Sequence, residues 1–200
     1  MRSDFVLPLL PLDEAVLFPG GEMRLVGRSR LERGVLAESQ SFGDRLIASL
    51  KDGEAVHEVG VLAAVSRDEG GLRLEGLDRL RLVELVQEDP PLVKAQKFPD
   101  LPGHPAHRVL PLLRLLGARF DKLCRNLGRP AGAMPGTDLA ALTWQVAAAI
   151  GLSVEQQQGF LNIPDPVTRG RLLLAAVRDV ERRERFLRPW AHLRPAADWN

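Results

Sequence analysis

Few residues of this chain could carry acid–base, nucleophilic or metal chemistry: four histidines, one cysteine and four lysines among 200 residues. A metal site needs three or four ligands that the fold can converge on. His104 and His107, the only close histidine pair, stand in a proline-rich stretch with no second ligand pair nearby, and we read them as loop histidines. Cys124 lies beside Leu123 and Leu127 in a helical pattern, which marks it as a small core residue rather than a nucleophile. None of Lys51, Lys94, Lys97 and Lys122 has a serine at the spacing of a Ser–Lys dyad. The carboxylate pairs Asp13-Glu14 and Asp68-Glu69 fall in expected turns, where charges are simply solvated. The chain contains no Gly-Lys dipeptide, hence no phosphate loop, and no GxSxG, HExxH, CxxC or GxGxxG. The expectation is a protein that is not an enzyme, with no catalytic residue, no cofactor and no metal.

The charge balance bounds the partners. A formal net charge of +1 divides unevenly, with 13 Lys/Arg and 18 Asp/Glu in residues 1–100 and 14 and 8 in residues 101–200, so the halves carry about −5 and +6. Because the basic residues are interleaved with acids, complementary faces of two lobes explain the split better than a nucleic-acid track does. One cysteine rules out an intramolecular disulfide framework and suits a reducing cytoplasm. Arg2, Asp4, Pro8 and Pro11 interrupt the N-terminal apolar run, so no export signal is expected. The longest nearly apolar stretch, Leu139 to Leu152, is 14 residues, against the ~20 that span a bilayer, so no membrane partner is expected.

Any binding surface must then be positioned by secondary structure, and the chain divides into two patterns. Up to Phe98 the period is that of strands. Val59, Val61, Ala63 and Val65 alternate, Arg67 to Gly71 turn, and Leu72 and Leu74 begin a returning strand, which makes a hairpin. Leu80 and Leu82 keep one parity while Val83 and Leu85 take the other, which predicts a bulge or burial on both faces; Gly76 is a natural bend. Leu46 to Leu50 form a further strand ending at the turn Lys51-Asp52-Gly53-Glu54. Ser29 and Glu32 have capping-box spacing, which predicts a helix near residues 30–39. Short strands avoid open edges by closing, so a barrel or half-barrel follows.

Pro99-Asp100-Leu101-Pro102-Gly103-His104-Pro105 continues neither strand nor helix and marks the boundary between residues 1–100 and 101–200. Beyond it Val109, Leu112, Leu113, Leu116 and Phe120 fall at helical spacing. Thr137 or Asp138 caps a second helix that runs to Gly151, Ser153 and Gln156 form another capping box, and Asp165-Pro166 opens a long helix. That helix presents an inner face of Leu172, Leu173, Ala176, Val177, Val180 and Leu187. Acid-first pairs Asp179–Arg183, Glu181–Arg185 and Glu184–Arg188 mark its solvated face.

The opening segment LPLLPLDEAVLFPGGEMRLVGRSR resembles the start of the N-terminal substrate-recognition domain of Lon-type ATP-dependent proteases. Glu58-Val59-Gly60-Val61 is similar to that family's Val-Gly strand, and Leu74-Glu75-Gly76-Leu77-Asp78-Arg79-Leu80 to its EGxxR stretch. Leu152 to Leu174, with Glu155, Gln156, Gln157, Leu161 and Arg171, is similar to the segment preceding its long helix. The resemblance implies an α+β fold: a PUA-like β pseudo-barrel of about six strands plus a helix, followed by an all-α helical lobe. It also implies the role of gripping unfolded or damaged proteins or peptides, alone or with a separate protease or chaperone. The family's full-length members continue into ATPase and peptidase modules, and neither activity is expected of these 200 residues.

The leading expectation is a stand-alone, non-catalytic module that binds protein or peptide through an apolar groove between barrel and helices, or through the barrel's edge. Phe18, Met23 and Arg28, with Trp190 as an outlier, are its candidate residues. The alternative is a PUA-like RNA-binding module, which the composition disfavours: aromatics make up 5%, tyrosine is absent and the arginines alternate with acids. A small hydrolase would need a site assembled from residues distant in sequence.

Overall fold

A computed structural model describes residues 4–25, 29–68, 71–128, 138–187 and 189. Seven strands and five helices follow in the order β1 (Asp4–Leu12), β2 (Glu22–Leu25), α1 (Arg30–Ser41), β3 (Arg45–Asp52), β4 (Ala55–Val56), β5 (Val59–Asp68), β6 (Gly71–Glu88), β7 (Pro91–Lys97), α2 (Ala106–Asn126), α3 (Leu139–Ala149), α4 (Val154–Leu161) and α5 (Pro166–Leu187). The expected α+β barrel with a following helical region is the observed architecture. Its seven strands, against about six expected, include the two-residue β4.

Closure is achieved by one parallel pairing. The order β1-β7-β6-β5-β3 is antiparallel throughout, and β1 then pairs with β3 in parallel, Leu9 opposite Ile47 through Leu12 opposite Leu50, so five strands form a ring. Both parities of β1 and β3 are consequently buried: Leu10, Leu12, Leu46 and Ala48 join one apolar cluster, and Leu7, Leu9 and Ile47 another. The first cluster continues without a break into Leu112, Leu116, Phe120, Leu142, Leu161, Leu173 and Val177 of the helices, so sheet and helices share a core.

The strand irregularities fall where the parity conflict predicted them. The β6–β7 register shifts between Leu82 and Glu84 and again between Leu85 and Gln87. A further shift in β5–β6 skips Leu77, beside Gly76, whose N–H and C=O bond to Gly21 and Gly20. An ideal Cβ on Gly76 would stand 2.2 Å from the Phe18 carbonyl oxygen, so the bend residue is also a close-approach residue.

The helices begin where their caps stand. Ser29–Glu32 and Ser153–Gln156 form complete capping boxes, and the Asp138 side chain accepts from the Ala140 N–H; Thr137, the alternative cap, lies outside the described residues. Cys124 is buried, as its neighbours implied. Gly159 sits in the open face of α4, where an added Cβ meets nothing within 4 Å. Gly159→Ala should therefore stabilise the protein by about 0.5–1 kcal/mol through lost unfolded-state entropy and raise the thermal midpoint by roughly 2 °C. A lowered midpoint in calorimetry would contradict the open surroundings.

Two details of α5 differ from expectation. Leu172, placed on the inner face, is 48% exposed, while Arg169, one helical turn before Leu173, is fully buried. Helical phase puts positions 169, 173 and 177 on one stripe, and the inner face follows that stripe. The solvated ion-pair face is also interrupted: Glu181 meets Arg119 of α2 at 2.6 Å, and Asp179 meets Arg182 rather than Arg183. The packing of α2 against α5 captures Glu181 before Arg185 can; Arg188 lies outside the described residues.

At the start of α5, Asp165 accepts from the Val167 and Thr168 N–H groups and from Thr168 Oγ1, and meets His104 Nε2 at 2.5 Å. Burial alone would raise its carboxyl, but these hydrogen bonds outweigh burial and hold it at about 2, below the ordinary 3.8. A depressed folded-state value contributes stability that is complete above 3.8 and lost as pH falls through 2. Urea unfolding between pH 5 and pH 2 should show a decline of which about 1 kcal/mol, after solvent screening, disappears in Asp165→Asn. An unchanged decline would remove Asp165 as its source.

Candidate functional site

The seam between sheet and helices is organised by charge. β6 directs Arg79 inward, the segment after β7 supplies Asp100, and α5 supplies Arg169; the two arginine side chains are 3% and 0% exposed. Asp100 Oδ1 accepts from Arg79 Nη2 at 2.5 Å and from Arg169 Nη1 at 2.8 Å, and Oδ2 accepts from Arg169 Nη2 at 2.9 Å. Arg79 Nη1 also donates to the Leu161 and Ile163 carbonyls, and Arg169 donates to the Ile163 carbonyl and to Thr143 Oγ1. The chain end of α4 is thereby tied to β6 and α5 at one point.

Aromatic faces complete the seam. The Arg169 guanidinium carbon lies 3.5 Å from the ring centroid of Trp144, whose ring stacks on Phe18 at 5.7 Å and 23°. Arg79 and Arg81 stand 4.7 and 4.6 Å from the Phe98 centroid. One carboxylate facing two guanidinium groups leaves a net charge of +1, and cation–π contact offsets part of its desolvation. Burial lowers Arg79 to about 10, the Asp100 charge opposing the shift and Arg169 adding to it, so the group stays charged at neutral pH. A guanidinium that keeps its proton can hold a ligand but cannot shuttle a proton.

Beside the seam opens a cleft of about 210 Å³ lined by Pro19, Asp78, Arg79, Lys97, Phe98, Pro99, Asp100 and Trp144. Its wall therefore comes from the β1–β2 turn, β6, the end of β7 and α3. Among the described residues no group of three or more His, Cys, Asp or Glu side chains could hold a metal ion. No described helix is long and apolar enough to cross a membrane.

The expected site residues are placed unevenly. Phe18 is buried and stacked on Trp144, so its ring builds the back of the seam, while the adjoining Pro19 reaches the cleft. Met23 is half-buried in β2, opposite Leu74 of β6. Arg28 and Trp190 lie outside the described residues. The structure thus brings Phe18 and Met23 to neighbouring positions against β6 but leaves Met23 out of the cleft. Asp100, Trp144 and Arg169 were not singled out by sequence reasoning, and Arg79 entered only as the arginine of the EGxxR stretch; an arginine in the apolar stripe of a helix is a readable signal for Arg169.

Comparison with known proteins agrees with this architecture. The family profile of the ATP-dependent protease La (LON) substrate-binding domain matches residues 6–179. Lon protease 4 of Sorangium cellulosum (strain So ce56) is 34% identical over 178 residues, covering 82% of this chain and 21% of that protein. Lon protease 2 of Myxococcus xanthus is 30% identical over 193 residues, covering 84% and 23%. The chain thus spans about a fifth of the length of these relatives. Among solved structures, the N-terminal domain of the Mycobacterium avium complex Lon protease superposes with a TM-score of 0.72 at 19% identity, covering 88% of this chain and 99% of that one. The Lon N-terminal domain protein from Xanthomonas campestris gives 0.62 at 22% identity, covering 86% and 98%. With the profile running from β1 into α5, this chain belongs to the family of Lon (protease La) substrate-binding domains.

Proposed function

We propose that these 200 residues form a non-catalytic module that grips unfolded or damaged proteins or peptides in the cytoplasm, for delivery to a protease or chaperone. The observation that carries this reading is the cleft between the sheet and the helices in a substrate-binding fold, walled by aromatic, proline and charged side chains that are held in place rather than poised to react. Arg79, Arg169 and Asp100 bind one another, and Cys124 is buried in the core, which supports binding over chemistry. Residues 1–100 and 101–200 act as two lobes of that module, with Asp100 at their junction. The barrel edge at Met23 extends the surface beyond the cleft.

The test is retention of the purified chain on a resin carrying a reduced and alkylated, permanently unfolded model protein. Micromolar binding in moderate salt, with no retention on the native form of the same protein, is the expected result. Equal failure on both resins would overturn the reading, and a salt-dependent shift of labelled RNA in its place would favour the nucleic-acid alternative.

A further inference from the structure

We infer that the cleft beside the arginine seam receives the carboxyl-terminal residue of a polypeptide, its apolar side chain lying against Phe98 and Trp144 and its carboxylate meeting Arg79 and Lys97. This rests on the peptide-binding reading above and names the part of the substrate that the cleft takes.

Charge is the first observation. Arg79 and Lys97 line the cleft with Asp78 and Asp100, Arg169 adjoins it behind Asp100, and Arg81 lies over Phe98. Both oxygens of Asp100 already accept from the two arginines. The Arg79–Asp100–Arg169 triad carries a net +1 and Lys97 balances Asp78, so an incoming anion meets a net positive charge.

The second observation is an unused donor. A guanidinium has five N–H groups, and the three hydrogen bonds of Arg79 use both hydrogens of Nη1 and one of Nη2. Its Nε–H and remaining Nη2–H make no hydrogen bond to the described residues, and the side chain lines the cleft. A charged donor that opens onto a cleft favours a charged acceptor, and a carboxylate is the acceptor that also supplies negative charge.

Size and chain geometry select the chain end. A space of 210 Å³ is the share of about seven water molecules, room for one residue rather than a folded element. In an extended internal segment, successive side chains point to opposite faces, so an acidic residue and its apolar neighbour cannot both enter. The last residue of a chain carries its side chain and its carboxylate on one Cα and satisfies the aromatic wall and the cationic wall together.

Fluorescence anisotropy of the full chain with a fluorescein-labelled hexapeptide ending in leucine tests this. Amidating its terminal carboxyl should weaken binding at least about tenfold, the scale of one charge-assisted hydrogen bond. Lys97→Glu, at an exposed position, should weaken the free-acid peptide far more than the amide. Equal binding of acid and amide overturns the inference, as does equal binding of an amidated peptide ending in glutamate, which would assign the site to acidic side chains. If unfolded protein is retained while both peptides fail, the chain-end assignment falls and the broader binding reading survives. If nothing is retained, both fall.

Discussion

Asp100→Ala should lower the unfolding free energy by about 3 kcal/mol, because it strands two guanidinium groups in the seam without their carboxylate. The variant loses all three charge-assisted bonds at 2.5, 2.8 and 2.9 Å. Arg79 and Arg169 keep their carbonyl partners and the Trp144 face, which moderates the loss without supplying a counter-charge. For a domain whose whole stability is on the order of 5–15 kcal/mol, this is a large fraction, and urea unfolding reads it as a lowered midpoint. The sharper measurement is the double variant. Removing one stranded charge with Arg169→Met should make Asp100→Ala less costly than it is alone, a coupling of at least about 1 kcal/mol. Additive losses, or an Asp100→Ala cost within the range of a surface ion pair, would show that the triad does not act as a unit.

How much of this was legible depends on the range of each interaction. Local chemistry was readable: Ser29 with Glu32, Ser153 with Gln156 and Asp165 with Pro166 announced three helix starts, and the parity conflict between Leu82 and Val83 announced the bulge. Non-local geometry was not. Nothing within β1 or β3 says that they pair in parallel, since that pairing is set by the closing ring. The seam was hidden for the same reason. Arg79 and Arg169 are 90 residues apart, and Asp100 sits in a proline-rich segment whose composition reads only as a boundary. Phe18 stands out in the sequence as a candidate binding residue, but its direction, inward onto Trp144 rather than outward to a partner, belongs to tertiary structure. Leu172, expected on the inner face, is exposed, while Arg169 takes an inner position because the Asp100 carboxylate is there to meet it.

Gly76→Ala should cost at least about 3 kcal/mol and is expected to be the most damaging glycine-to-alanine change among the described residues. Its Cβ would sit 2.2 Å from the Phe18 carbonyl oxygen, 3.0 Å from the Phe18 carbonyl carbon and 3.2 Å from Leu17 Cγ. Two of those three atoms are backbone, so no rotamer change relieves the clash. The turn cannot swing away cheaply either, because Gly20 N–H donates to the Gly76 carbonyl at 2.8 Å and Gly76 N–H donates to the Gly21 carbonyl at 2.9 Å. Gly20→Ala provides the contrast: Gly20 has φ +71° but open space around it, so its cost should be only the ~1 kcal/mol of a left-handed alanine. A Gly76→Ala protein as stable as Gly20→Ala would mean that the turn is free to move. The expected ranking also gives the two signature segments a physical connection. The Phe-Pro-Gly-Gly turn and the Glu-Gly stretch of β6 are stitched together at Gly76, and this contact sets Phe18 behind Trp144 and Pro19 at the mouth of the cleft. If the cleft takes peptide as proposed, a methyl group at position 76 should weaken that binding in fluorescence anisotropy as well as folding, even at temperatures where the chain remains folded.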